Sequence, residues 1–385
     1  MHRRSFLTGV SAAMAASRFR TGAAAPPRLL VFFGTRDAAK ARGIYSCFFD
    51  LQTSRSSSVS LAGELELPTW LAASADARYL YSVSEVGNDG KTNGSLAAFA
   101  IDRSSGGLRL LNKVSAGGGG TTYVSLDATG KTALAANYGS GRTTAFRVLP
   151  DGRLGEQTAS MAHSGSGPHR RQAAPHAHAV VVSPDNRFVL APDLGADRVF
   201  IFRFDAATGA LSPNNPPFAQ LPAGSGPRQM VFHPSGKFAY LMNELVARIA
   251  VFAWDARKGS LSEIETVSSL AAGDTSEPSG AGIAMHRAGR FLYTTTRNDN
   301  AVEVFAIDGT KGALAVRQRA PARGQTPWSC AIDPAGLHLF VMNQASDSVA
   351  IFRIDPNSGD LRPIGDGLSV PAPACALFVP GRDQG

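Results

Sequence analysis

The chain has 385 residues, of which 18% are charged, with 40 glycines and 23 prolines. An apolar content of 44% is that of a folded protein and argues against intrinsic disorder. The net charge is +8, but Arg3, Arg4, Arg18 and Arg20 carry half of it, and the scattered remainder argues against an electrostatic nucleic-acid binder.

The N-terminus reads Met1-His2-Arg3-Arg4-Ser5-Phe6-Leu7, followed by a weakly apolar stretch to Ala16 and by Ala23-Ala24-Ala25. Paired arginines before an apolar stretch and small residues are the features of a twin-arginine export signal, here over residues 1–25. The expected location is periplasmic or otherwise exported, and cytoplasmic if the leader is not functional. No run of 18 apolar residues follows, so no membrane insertion is expected. Cys47, Cys330 and Cys375 fit neither a metal knuckle nor a redox pair, and the last two sit in apolar runs as small core residues.

Beyond the leader come two strand-like segments, Arg28–Gly34 and Gly43–Leu51, and then a repeat of about fifty residues. Its clearest copies are Val180-Val-Val-Ser-Pro-Asp-Asn-Arg-Phe-Val-Leu, Met230-Val-Phe-His-Pro-Ser-Gly-Lys-Phe-Ala-Tyr and Cys330-Ala-Ile-Asp-Pro-Ala-Gly-Leu-His-Leu-Phe. Weaker copies begin at Leu71, Val124 and Ile283. Third strands follow at Val199–Phe204, Ile249–Trp254, Val302–Ile307 and Val349–Ile354, then an Asp/Gly turn and a fourth strand. Four short strands per unit, evenly spaced, are the signature of a propeller blade. Six such units are visible. The lone Cys375-Ala-Leu-Phe-Val at the C-terminus completes a seventh blade with the N-terminal strands, which removes the open sheet edge. The predicted fold is an all-β, seven-bladed β-propeller of four-stranded antiparallel blades, one domain over residues 28–380, expected as a monomer.

Antiparallel geometry puts the start of each first strand and the end of each second strand on one rim of the central channel. The first register reads Thr69, Thr122, His178, Arg228, Ala281, Trp328 and Ala374. The second reads Glu85, Tyr138, Leu194, Glu244, Arg297 and Gln344, with Asn137, Asp193, Asn243 and Asn343 just before. One rim therefore gathers more ionisable groups than a solvated channel mouth requires, and it is the expected pocket.

These residues resemble those of the seven-bladed propeller lactonases, which include propeller-type 6-phosphogluconolactonases and carboxy-cis,cis-muconate cyclase. The matching segments are Gly226-Pro227-Arg228-Gln229 with Asn243-Glu244-Leu245, Pro175-His176-Ala177-His178, Thr296-Arg297-Asn298 and Asn137-Tyr138-Gly139. The resemblance covers residues 28–380 and implies His178, Glu244, Arg228 and Arg297 as catalytic residues. Glu85, Asn137, Tyr138, His176, Asn243, Trp328 and Gln344 are the accompanying substrate-binding candidates. It implies hydrolysis of a small, anionic sugar lactone with no cofactor and no metal. An exported copy would not meet a cytoplasmic sugar phosphate, so the leader sets the pathway substrate apart from the chemistry.

Lactone opening needs an activated water, a stabilised oxyanion and protonation of the leaving alkoxide. Glu244 or His178 is the candidate base, and Arg228 and Arg297 are the candidate anion holders, because a guanidinium binds carboxylate or phosphate bidentately. Lactone closure from a diacid, as in the muconate cyclases, and a non-catalytic binding propeller are the alternatives. A zinc site among His163, His169, His176 and His178 lacks a carboxylate or Cys at matching spacing. Thr129-Gly130-Lys131-Thr132 lacks the leading glycine of a phosphate loop. No Gly-x-Ser-x-Gly elbow marks a serine nucleophile.

Overall fold

The computed structural model describes residues 28–271 and 273–381, and the leader expected over residues 1–25 lies outside them. Seven antiparallel sheets form the ring. The first blade is composite: Pro373–Pro380 pairs with Arg28–Thr35, which pairs with Gly43–Asp50, and Arg55–Ser56 and Ser60–Glu64 lie outside. The second to seventh blades begin at Leu71, Thr121, Val181, Pro227, Gly280 and Pro327. Each has four strands in sequence order, as the repeat predicts. The closure from the two chain ends is also as predicted.

The core lies between blades. Second strands such as Phe238–Asn243, Phe291–Thr296 and His338–Asn343 are buried at every position, whereas outer strands such as Leu108–Ser115 are largely exposed. Strand side chains alternate between the two faces of a sheet. In the sixth blade Phe291 and Tyr293 therefore pack on Leu339 and Val341 of the seventh, while Leu292 packs on Tyr240 and Met242 of the fifth. Cys47, Cys330 and Cys375 are buried in these layers as free thiols, each pushed up to about 12 by burial.

Neighbouring blades are also clasped by hydrogen bonds. Tyr240 Oη donates to Gly312 O at 2.9 Å, and Tyr293 Oη donates to Gly359 O at 2.9 Å. Gly312 and Gly359 close Asp-initiated turns with φ of +76° and +78°. A Cβ there would come within 2.5 Å of the Phe238 or Phe291 ring, so the turn seats directly on the preceding blade only because the residue is glycine.

Candidate active site

The second strands of all seven blades end one residue before the channel rim: Thr35, Ser84, Asn137, Asp193, Asn243, Thr296 and Asn343. The next residues are Arg36, Glu85, Tyr138, Leu194, Glu244, Arg297 and Gln344. Four of the six expected residues of this register line one cavity of about 200 Å³, together with Thr122, His178 and Trp328 from the first strands. Arg36, Asn88 and Arg171 complete the lining and were not among the sequence candidates. Arg36 is the seventh member of the register, supplied by the composite blade. Arg171 comes from the loop before the fourth blade. That loop folds over the one apolar register position, Leu194, where Gln172 Nε2 donates to the Leu194 carbonyl at 2.8 Å.

Glu244 is the centre of charge. It is 2% exposed. Arg228 Nε donates to its Oε2 at 3.0 Å, Arg297 Nη2 stands 2.8 Å from Oε2, and Arg171 Nη1 donates to Oε1 at 2.5 Å. Burial alone would push the carboxyl up; Arg297, Arg228, His178 and Arg171 outweigh it and hold it well below the carboxylate range. Arg171 also donates from Nη2 to Tyr138 Oη at 3.0 Å.

Arg228 and His176 lie outside the cavity, and Trp328 lines it with its ring among arginines. Arg228, a candidate anion holder, is 1% exposed and is not part of the lining. Its Nη1 donates to the Ala281 carbonyl at 2.7 Å, so its donors serve Glu244 and the sixth blade. Burial and Arg297 press its guanidinium down to about 9, still a cation at neutral pH. Trp328 lines the cavity, with Arg36, Arg297 and Arg228 4.3, 4.6 and 5.5 Å from its ring centroid. A π-bed of this kind lets like-charged guanidiniums sit close together. His176 stacks on Tyr138 with centroids 4.4 Å apart and Nδ1 2.8 Å from the Tyr138 carbonyl, outside the lining.

Asn137, Asn243 and Gln344 also lie outside the lining. Asn137 ties Thr121 and Thr144, and Asn243 is 2% exposed within the fifth blade. Gln344 opens a short 3-10 turn whose backbone bonds to Thr326. None of the residues just before the rim lines the cavity, whereas five of the seven that follow them do: Arg36, Glu85, Tyr138, Glu244 and Arg297. The loose histidine cluster resolves in the same way. His163 is sealed between Asp193 and Thr143, and His169 accepts a backbone bond from Arg171.

His178 faces the cavity with Nε2 3.6 Å from Glu244 Oε2, too long for a direct hydrogen bond. Its Nδ1 is buried without a partner. Burial, then Arg228, pushes the imidazole well below its ordinary 6.5, with Glu244 opposing, so the ring is neutral. The other end of the cavity is electrically balanced. Arg36 Nη1 bonds both oxygens of Glu85 at 2.7 and 2.6 Å, and Asn88 Nδ2 and Thr122 Oγ1 donate to the same carboxylate. The excess positive charge of the site therefore sits at the Glu244 end.

The model of the lactonase family of seven-bladed β-propellers matches residues 30–378. The 6-phosphogluconolactonase of Bacillus subtilis (strain 168) is 32% identical over 348 residues, 90% of this chain and 97% of that protein. The 6-phosphogluconolactonase of Formosa agariphila is 30% identical over 338 residues, 87% of this chain and 94% of that one. The solved periplasmic gluconolactonase PpgL of Pseudomonas aeruginosa superposes with a TM-score of 0.86 at 32% identity, covering 91% of this chain and 99% of that chain. The chain belongs to the seven-bladed β-propeller lactonase family.

Proposed function

We propose that the protein hydrolyses a sugar lactone by ring opening of the 6-phosphogluconolactonase kind, without a metal, and that His178 is its general base. The observation that carries this reading is a neutral imidazole set against a carboxylate that three guanidiniums hold ionised. A general base must be unprotonated and within hydrogen-bond reach of the proton it takes. Glu244, held far below the carboxylate range, is a poor proton acceptor and a good anchor for Arg171 and Arg297. His178 is neutral, lines the cavity and has Nε2 3.6 Å from Glu244 Oε2, too far to be bonded to it, so it is the better acceptor.

In this reading His178 takes a proton from a water in the cavity as the hydroxide adds to the lactone carbonyl. Arg171 and Arg297 stabilise the developing oxyanion. His178 then returns the proton to the ring oxygen as the C–O bond breaks. Arg36 and Asn88, at the balanced end, bind the distal part of the substrate. Export through the leader is part of the proposal, and the periplasmic naming of PpgL supports it.

The test is hydrolysis of 6-phosphogluconolactone, gluconolactone and muconolactone by purified protein, corrected for spontaneous opening. Acceleration of a sugar lactone that His178→Gln abolishes is expected. No acceleration of any of the three would overturn the enzyme reading, and turnover of muconolactone alone would move the protein to the cyclase class.

A further inference from the structure

A second constellation stands on the opposite rim, where the composite first blade meets the seventh. Ser54 lies in the turn between Gly43–Asp50 and Arg55–Ser56. Its Oγ is 2.8 Å from His338 Nε2, and His338 Nδ1 is 2.9 Å from Asp333 Oδ2. Asp333 also receives the backbone N–H of His338 at 2.6 Å, which fixes the carboxylate against the ring. A carboxylate only accepts, so Nδ1 carries the proton, Nε2 is the acceptor, and the Ser54 hydroxyl is the donor. Arg353 Nη1 donates to the same Oγ at 3.1 Å. A cation there stabilises the alkoxide that proton loss would create.

From this geometry we infer that Ser54 is an activated nucleophile, with His338 its base and Asp333 the residue that orients the base, forming an acyl-accepting site separate from the channel. Two chain segments far apart in sequence meet here, the Ser54 turn and the Asp333–His338 hairpin, in the order nucleophile, base, orienter. The absence of a Gly-x-Ser-x-Gly motif therefore concerns one scaffold only. Ser54 also has a φ of +55°, a left-handed conformation unusual for a residue with a side chain.

The molecule contains its own control. Thr143 Oγ1, His163 and Asp193 repeat the pattern, with Nε2–Oγ1 of 3.0 Å and Nδ1–Oδ2 of 2.7 Å. Thr143, however, is 0% exposed, whereas Ser54 is half-buried at the surface. The same bonds there only brace the third blade against the fourth, while Ser54 can be approached from solvent.

The step is an acyl transfer from an activated ester. Ser54 Oγ bonds to the acyl carbon as its proton passes to His338 Nε2. The bond to the leaving oxygen then breaks, and that oxygen takes the proton from Nε2. His338 is 0% exposed, so water has little approach to Nε2 once Ser54 is acylated. The acyl group therefore stays on Ser54, and the site takes up one equivalent without turning over.

The experiment is incubation of the full chain with p-nitrophenyl acetate, following nitrophenolate release and locating the acetyl group by peptide mass spectrometry. The expected result is a burst of one nitrophenolate per chain, with the label on Ser54. Labelling should be roughly 10²-fold faster than at exposed Ser58 or Ser164, the scale of general-base assistance. Ser54→Ala should abolish the burst and leave lactone hydrolysis unchanged. Arg353→Ala, an exposed change, should slow labelling, and Asp333→Asn should slow it further in protein whose melting is checked. Thr143 should stay unlabelled. Labelling of Ser54 no faster than that of Ser58, or indifferent to both Arg353→Ala and Asp333→Asn, would overturn the assignment.

Discussion

Arg228 approaches Glu244 from behind the cavity: its Nε lies 3.0 Å from Oε2, and its Nη1 donates to the Ala281 carbonyl of the next blade. An ammonium is a point charge and cannot keep both contacts in that geometry. Arg228→Lys should therefore lower kcat/KM by about 10-fold or more. Arg228→Met should lower stability by about 3 kcal/mol, the scale of breaking a buried pair. Kinetics and denaturant unfolding of both variants check this. Unchanged values for both would show that Arg228 has no hold on Glu244.

His178→Gln removes the proposed base but keeps a polar side chain in the cavity. The expected loss is about 10²–10⁴ in kcat with little change in KM. Because the imidazole is depressed below 6.5, the acid limb of the wild-type kcat/KM profile should fall below pH 6.5. A limb at or above that value would point to a different base.

Stability should fall with acid for two reasons that share a sign. Glu244 titrates below its ordinary 4.5 in the folded chain, so its contribution is present above 4.5 and is lost as pH falls through the folded value. His178 is depressed from 6.5, so the unfolded chain takes up a proton that the fold resists, and stability declines as pH falls below 6.5. Unfolding free energies at pH 7.5, 5.5 and 3.5 check this. His178→Gln should flatten the upper interval, and Glu244→Gln the lower one.

Arg36 neutralises Glu85 at the far end of the cavity. Arg36→Gln leaves an uncompensated carboxylate facing an incoming substrate. KM for 6-phosphogluconolactone should rise by about 10-fold or more, and KM for uncharged gluconolactone by much less. Equal effects on the two would place the anion elsewhere.

The Tyr240 and Tyr293 hydroxyls clasp different pairs of blades. Each Tyr→Phe change should cost about 1 kcal/mol, the net value of a buried hydrogen bond. The double variant should lose the sum, since the clasps share no partner. Thermal or urea unfolding measures both.

The fold was legible because its signal is repeated. Each blade restates the same strand and turn chemistry, so weak copies at Leu71 and Ile283 are carried by strong ones at Met230 and Cys330. The rim was legible as far as the register reaches. Arg36 also obeys that register, but its blade is divided between the chain ends, where the repeat is hardest to see. Arg171 obeys none. It lies in a loop whose path is set by bonds to Leu194 and Asp197, which no periodicity announces. Roles within the register were less legible than positions. Arg228 and Arg297 look alike in sequence, yet one is sealed behind Glu244 and the other lines the cavity. Ser54 and His338 are 284 positions apart, and only ring closure reveals their contact.

The pairing of Pro373–Pro380 with Arg28–Thr35 has a temporal consequence. Arg36 and Trp328, which stack 4.3 Å apart in the cavity, belong to the first and last blades and are neighbours only across that seam. A chain emerging from the ribosome cannot present the assembled pocket until its final strand is free to join the ring. Catalysis would then report on completion, and a C-terminal truncation before Pro373 should yield a chain unable to work however well its middle blades are formed.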